Sequence, residues 1–244
     1  YGLGVSVNAL EVFDDGSGPA LYAAGRFTHA GGQAAAYVAR WDGSIWSALG
    51  SGLPTGAYAG RALTTFDDGQ GPALYVVADS VYKWDGVGWT TIGGSGDTAP
   101  LAVFDDGTVP ALYKRGPPMY GSQGGGTLVV ERLMGGSWVP VAGTFASPPS
   151  ATPCGVLLFP PCPPGPVLWA LAVFDDGNGP ALYAGGKFES VGGIPGGEVA
   201  RLDCGATVSI LFWMATAIAA TCASVGSSLI DVSVSISSLN SWCA

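Results

Sequence analysis

The chain has 244 residues, of which 11% are charged, and its 18 acidic and 9 basic side chains give a net charge of −9. A chain of this length can bury a substantial core as one all-β domain. The acidic balance excludes nucleic acid as a partner, because a nucleic-acid site needs a basic patch. Ordinary soluble domains contain about 25% charged residues. The low fraction here indicates that the surface is covered by neighbours or is neutralised by Ser, Thr, Gly and attached glycans.

One phrase, FDDG followed two residues later by PALY, occurs four times, beginning at Phe13, Phe66, Phe104 and Phe174. A recurrence of this size predicts an array of one supersecondary unit. Each phrase joins two apolar, β-forming runs through Asp, Gly and Pro, which favour tight turns. Each phrase therefore predicts a β-hairpin, whose strands we label a and b.

A second hairpin follows in each unit. Its first run ends in a basic and a large apolar residue, at Arg40-Trp41, Lys83-Trp84, Arg132-Leu133 and Arg201-Leu202. In the first three units a short glycine-containing turn leads to a tryptophan that opens the next run, whereas no tryptophan closes the fourth. Four strands per unit, a to d in up-and-down order, predict an all-β, β-propeller-like array of four blades, since a β-solenoid uses shorter repeats.

The predicted units cover approximately residues 8–53, 62–95, 100–144 and 168–204. They form a repeat domain over residues 1–204, followed by an apolar C-terminal strand segment at 205–244. Residues 1–5 resemble the segment that ends unit one, as expected if a terminal strand completes the last blade. A closed four-bladed ring and an open array finished by another subunit both fit these residues.

A glycine-containing step and loop after strand b recur in units one and four, at residues 24–32 and 185–193. Together with the phrases ARWDG at 39–43 and WSALG at 46–50, they resemble the kelch-like and cortical-marker-like β-propeller repeats of secreted bacterial and surface proteins. The resemblance covers roughly residues 1–204. It implies a propeller fold and a secreted or surface setting, and it implies no fixed activity.

The intervals between the motifs differ, and in a meander these differences fall on one face of the array. The a–b and c–d turns are short, so the length changes lie in the b–c loops and in the linkers between units. The longest are the b–c loops at 26–35 and 115–126 and the linker at 147–166. Variable loops on a rigid scaffold commonly bind ligands, so we expect any glycan or protein ligand on this face.

Five cysteines lie late in the chain, at Cys154, Cys162, Cys204, Cys222 and Cys243. Cys154 and Cys162 bracket a proline-containing loop, which suits a local disulfide. Two of the other three can pair, which leaves one free or intermolecular. No C-x-x-C spacing is present, which argues against a zinc site. The pattern favours an oxidising, extracellular compartment.

The segment at 205–244 departs from the repeat pattern. Residues 208–221 are almost wholly apolar, but Thr and Ser interrupt the run and no basic flank follows it. We therefore favour a buried strand over a membrane span. Residues 230–237 alternate strictly between apolar and polar side chains, which predicts an amphipathic strand. This strand either packs within its own subunit or pairs with a second copy, which would give a homo-oligomer or homopolymer.

Three sets of residues are candidates for chemistry. His29, the sole histidine, lies in a loop without a partner base and is expected at the surface. The Asp pairs of the FDDG motifs favour turn formation, with calcium binding as the alternative. The pairs Trp41/Trp46 and Trp84/Trp89 favour packing between blades, with stacking on sugars as the alternative. We therefore predict no catalytic, cofactor-binding or metal-binding residue and no cofactor.

Together these patterns predict an extracellular, non-enzymatic structural protein that self-associates, as a subunit of a surface layer or a filament. The alternative prediction is a secreted or surface binding module that recognises a glycan or a protein ligand through its variable loop face.

Overall fold

The structure, a computed structural model, describes residues 6–54, 59–94, 100–117, 119–120, 126–147, 165–195, 197–202 and 208–209. In these ranges the chain forms β-strands and no helix, so the prediction of an all-β fold is confirmed. All five cysteines, the apolar run beyond residue 209, the strand predicted at 230–237 and residues 1–5 lie outside the described ranges.

Four larger antiparallel sheets, of four strands in blades 1, 2 and 4 and of seven strands in blade 3, form a propeller-like arrangement of four blades, as predicted. Blade 1 contains β1 (Val7–Asp14), β2 (Pro19–Gly25), β3 (His29–Ala30), β4 (Gln33–Ala34), β5 (Val38–Trp41) and β6 (Trp46–Ala48). Its sheet has the order β1-β2-β5-β6, and β3 and β4 form a separate hairpin between β2 and β5. Blade 2 is a plain meander of β7 (Ala62–Asp67), β8 (Pro72–Val77), β9 (Val81–Trp84) and β10 (Trp89–Gly93).

Blade 3 contains β11 (Leu101–Asp105), β12 (Pro110–Arg115), β13 (Met119–Tyr120), β14 (Gly126–Met134) and β15 (Ser137–Ser147). Part of the loop predicted at 115–126 is therefore a strand, since β13 pairs with an N-terminal extension of β14. Blade 4 contains β16 (Val167–Asp175), β17 (Pro180–Lys187), β18 (Ser190–Val191), β19 (Ile194–Pro195), β20 (Val199–Leu202) and β21 (Val208–Ser209). Its fourth strand, β21, lies beyond the predicted unit boundary at residue 204.

The FDDG-x-x-PALY motif forms the first hairpin of every blade. In blade 1 Phe13 lies opposite Ala20 and Asp14 lies opposite Pro19, and the other blades repeat this register. Gly16 and Gly18 close the turn with φ values of 95° and 105°, which side chains with a Cβ rarely adopt. Asp and Gly therefore set the hairpin, as the sequence predicted.

Alternation along the strands gives each blade two different surfaces. The FDDG phenylalanine and the PALY tyrosine lie on one surface, which we call the tyrosine side. The PALY leucine lies on the opposite surface, which we call the leucine side. Three core clusters form where the tyrosine side of one blade meets the leucine side of the next, between blades 1 and 2, 2 and 3, and 3 and 4. The main hydrophobic core of the protein therefore lies between successive blades.

The b–c insertions of blades 1 and 4 form packed hairpins. Phe27 and Phe188, at equivalent positions, are 1% and 5% exposed. Phe188 stacks edge-on against Phe145 of blade 3, with ring centroids 4.9 Å apart. In blade 4 the hairpin also extends the sheet of blade 3, because β18 pairs with β15. The part of the variable face that belongs to blade 4 is thus anchored to the preceding blade.

Candidate functional site

The first aspartate of each FDDG motif caps its own turn. Asp14 Oδ1 accepts hydrogen bonds from the backbone N–H groups of Gly16 and Gly18, both at 2.9 Å. The contact to the residue two positions further on recurs in the other blades at Asp67, Asp105 and Asp175. This is the Asx-type geometry that a tight turn uses to satisfy its backbone donors.

The second aspartate joins the PALY tyrosine to the basic residue of the third strand. In blade 2, Asp68 Oδ2 accepts hydrogen bonds from the Tyr75 hydroxyl at 3.0 Å and from Lys83 Nζ at 2.6 Å. The equivalent ion pairs are Asp15–Arg40 at 3.6 Å, Asp106–Arg132 at 2.6 Å and Asp176–Arg201 at 3.1 Å. We call this set the carboxylate network. It fastens the turn of each blade to the third strand, and in blades 1, 2 and 4 the tyrosine hydroxyl ties the turn to the second strand as well.

The network shifts the pKa values of Asp15, Asp68 and Tyr22. Burial alone would raise the pKa of Asp68, but hydrogen bonds from Lys83 and Tyr75 outweigh it and hold the pKa below its ordinary value. A hydrogen bond from the Ser17 hydroxyl, supported by one from Tyr22, likewise lowers the pKa of Asp15. Burial and the adjacent Asp15 carboxylate raise the pKa of Tyr22 to about 12. The network therefore favours charged carboxylates and neutral tyrosines.

Acidification is expected to weaken the fold through these aspartates. Because the pKa of Asp68 is lower in the folded chain, the unfolded chain takes up protons first as the pH falls. The stabilisation is complete above the unfolded value of about 4 and is lost as the pH falls through the folded value. Urea unfolding from about pH 6 to about pH 2 should show this decline. Asp68→Asn should flatten it, and an equally steep decline in that variant would contradict the assignment.

Alkaline conditions are expected to act with the opposite sign. The pKa values of Tyr22 and Tyr82 are raised from 10.0 to about 12 by burial and by their aspartate partners. Their contribution is complete below pH 10 and is lost as the pH rises through about 12. Unfolding should therefore coincide with the appearance of tyrosinate absorbance. Tyr82→Phe removes the hydroxyl that donates to Asp79 at 2.9 Å and should shrink this loss of stability. An unchanged loss in that variant would count against the prediction.

The tryptophans that open the fourth strands connect each blade to the one before it. Trp89 Nε1 donates to the Leu49 carbonyl of blade 1 at 3.2 Å, and Trp138 Nε1 donates to the Gly93 carbonyl of blade 2 at 3.1 Å. Trp84 lies across from Trp89, with ring centroids 5.1 Å apart, and is 6% exposed in the core between blades 1 and 2. In blade 2 the tryptophan pair therefore packs between blades.

The other residues that were candidates for chemistry in the sequence lie in blade 1. His29 is exposed on β3, with Nδ1 3.0 Å from Thr28 Oγ1. The Trp41 and Trp46 rings are 5.4 Å apart, and both are only partly buried. Within the described residues, no three His, Cys, Asp or Glu side chains are placed to hold a metal ion.

A buried lysine in blade 3 was not singled out by the sequence reasoning. Lys114 is 0% exposed, forms an ion pair with Glu131 and lies 4.7 Å from the centroid of the Trp138 ring. The only signal in the sequence is that lysine follows PALY in this unit, where the other units have alanine or valine. Such a buried cation needs both the carboxylate and the aromatic face.

A cleft of about 490 Å³ lies between blades 3 and 4. Two carboxylates belong to its wall, and both are already engaged. Asp105 caps its turn through the N–H of Gly107, and Asp106 pairs with Arg132. The carboxylates of the cleft therefore serve the hairpin turn of blade 3.

Comparison of the chain with protein-family models, with curated proteins and with solved structures gives no match. In the described part of the chain, no helix is long and apolar enough to cross a membrane.

Proposed function

We propose that this chain is an extracellular, non-enzymatic structural protein with a β-propeller-like scaffold, and that it self-associates as a subunit of a surface layer or a filament. The proposal rests on the structural contacts that the ionisable side chains of the repeats make. In every blade the two aspartates and the basic residue hold a hairpin together. A side chain committed to the same contact in every repeat serves the architecture, which suits a scaffold.

The extracellular setting is supported by two sequence patterns. The units resemble the kelch-like and cortical-marker-like repeats of secreted bacterial and surface proteins, and the cysteines suit an oxidising compartment. A local disulfide between Cys154 and Cys162 belongs to this proposal. Peptide mapping of the unreduced protein tests it, and a free thiol at either cysteine would contradict it.

Self-association is assigned to the amphipathic strand at 230–237, which adds to the edge of a second copy. The low charged fraction of 11% supports it, because covered surface needs few charges. Deleting residues 227–244 should reduce the native mass, measured by light scattering, while the circular dichroism of the blades persists. Val234→Asp on the apolar register should act like the deletion, and Ser235→Asp on the polar register is the matched control. An unchanged particle after the deletion would refute this assignment.

A binding module for a glycan or a protein ligand is the second candidate. It is favoured by the concentration of length differences in the b–c loops, where exposed residues of β3 and β4 such as His29 and Gln33 lie. Glycan-array binding that is lost on trimming residues 26–35, and reduced by His29→Ala and Gln33→Ala, would favour this function. Trimming alone is a weaker test, because Phe27 of the same loop is buried.

A further inference from the structure

The three junctions between successive blades repeat one design. On the tyrosine side of blades 1, 2 and 3, the FDDG phenylalanine is nearly buried by the next blade, with exposed fractions of 6%, 8% and 6% at Phe13, Phe66 and Phe104. The valine two positions before the basic residue of strand c lies on the same side and is 0% exposed in all three blades, at Val38, Val81 and Val130. Each of these tyrosine sides is therefore complete only when a leucine side covers it.

Blade 4 has the same residues on its tyrosine side, but this side is largely exposed in the described part of the chain. Phe174 and Val199, at the equivalent positions, are 59% and 48% exposed. The Phe174 and Tyr183 rings are 5.9 Å apart, against 5.7 to 5.9 Å for the equivalent pairs of the other blades. This surface is already shaped for a junction. It differs from the other three in its exposure, because Phe13, Phe66 and Phe104 are each at most 8% exposed.

The leucine side of blade 1 is also exposed, in contrast to the leucine sides of the other blades. Leu10 is 56% exposed, whereas the equivalent Leu63 of blade 2 is 8% exposed. Leu21 is only partly buried, although the other PALY leucines are 0%, 0% and 2% exposed, at Leu74, Leu112 and Leu182. Val12 beside them is 66% exposed. In the described part of the chain, the array therefore ends in two exposed apolar surfaces. They are the tyrosine side of blade 4 and the leucine side of blade 1, the two kinds of surface that meet at each internal junction.

Two further features of blade 1 match contacts that a preceding blade provides elsewhere. Trp46 holds the position of Trp89 and Trp138, whose indole N–H groups donate to the end of the preceding blade, at the Leu49 carbonyl just after β6 and at the Gly93 carbonyl of β10. The hairpin strand β3 holds the position of β18, which pairs with β15 of the preceding blade. In the described part of the chain β3 pairs with β4 alone. Blade 1 therefore has an indole donor and a strand edge placed for the last strand of a preceding blade.

We propose that the tyrosine side of blade 4 docks on the leucine side of blade 1 of a second copy of this chain, head to tail. This contact repeats the three internal junctions, in each of which a tyrosine side packs against a leucine side. It deepens the proposed function, on which it rests, by giving the subunit a second assembly contact besides the tail strand. Phe174 and Leu10 are both more than half exposed, so the described arrangement leaves these surfaces open to another molecule.

Cross-linking between two single variants identifies the occupant. Full-length Leu10→Cys and Phe174→Cys chains are mixed and treated with a short bis-maleimide, and linked peptides are mapped by mass spectrometry. We expect a link between positions 10 and 174 of two different chains. Val87→Cys, at an exposed position of blade 2, replaces Leu10→Cys in the control and should give no such link. A link that forms only within one chain, in the Leu10→Cys/Phe174→Cys double variant, would overturn the proposal in favour of ring closure.

Charge variants give an independent readout. Leu10→Asp and Phe174→Asp should each lower the native mass, whereas Val87→Asp should leave it unchanged. An equimolar mixture of the two aspartate variants should regain one junction, because each chain keeps the intact surface that the other needs. Unchanged mass in both single variants would overturn the proposal. If the tail deletion still dissolves the particle in that case, the proposed function stands. If the link between positions 10 and 174 persists after a tail deletion that leaves the particle intact, the docking stands and the tail assignment falls.

Discussion

Phe66→Ala is expected to lower the free energy of unfolding by about 3–5 kcal/mol, the range for removing a buried phenylalanine side chain. Phe66 is 8% exposed and belongs to the core cluster between blades 2 and 3, together with Tyr75 and Leu112. The truncation leaves a cavity that two separate sheets would have to close, and strands held in hydrogen-bonded register relax little. Urea unfolding monitored by circular dichroism measures the loss.

The matched control is the same substitution in the same motif of blade 4. In the Leu10→Asp background, which keeps blade 4 uncovered, Phe174→Ala should change stability by less than about 0.5 kcal/mol, as exposed positions do. Phe174 is 59% exposed, although its motif is the same as that of Phe66. Equal losses at the two positions would show that a part of the same chain covers Phe174.

The strand boundaries could be predicted because turn residues bracket every run. The third strands of blades 1, 2 and 4, which are β5, β9 and β20, end at Trp41, Trp84 and Leu202, where the sequence predicted that these runs end. Blade 3 departs because glycines alone separate its loop from its strand, and β14 there extends back to Gly126. Turn residues therefore predict most of the strand boundaries, and the prediction fails in blade 3, where the turn signals are weak.

The carboxylate network could be predicted only in part. The sequence shows the Asp pair and the basic residue of each unit, but not that Asp106 and Arg132 meet, since 26 positions separate them. Their contact depends on the register between the second and third strands, which places Tyr113 opposite Arg132. Registers of this kind are set by the whole sheet.

The exposure of equivalent motifs could not be predicted at all. Phe104 and Phe174 stand in the same phrase, yet they are 6% and 59% exposed. The difference arises because the leucine side of blade 4 covers Phe104, whereas Phe174 lies at the end of the described array. A repeat therefore predicts which surfaces each unit presents to its neighbours. Whether such a surface is covered depends on the position of the unit in the array.

Arg132→Met is expected to lower the free energy of unfolding by about 3 kcal/mol, at the low end for breaking a buried ion pair. The side chains of Arg132 and Asp106 are 10% and 5% exposed, and the guanidinium also donates to Thr108 Oγ1 at 3.2 Å and to the Val109 carbonyl at 3.1 Å. Removing the cation leaves the Asp106 carboxylate in a poorly hydrated place without the guanidinium that lies 2.6 Å from it. Urea unfolding at neutral pH measures the effect.

The matched control is Arg201→Met in blade 4, where Arg201 and Asp176 are 16% and 23% exposed in their side chains. Water replaces part of a lost contact at such a position, so the loss in the Leu10→Asp background should be clearly smaller than for Arg132→Met. Without that background the docked second copy would cover the Arg201 pair, and the loss should grow with protein concentration. A loss at Arg201 that equals the loss at Arg132 and is independent of concentration would mean that the covering blade adds nothing to the network.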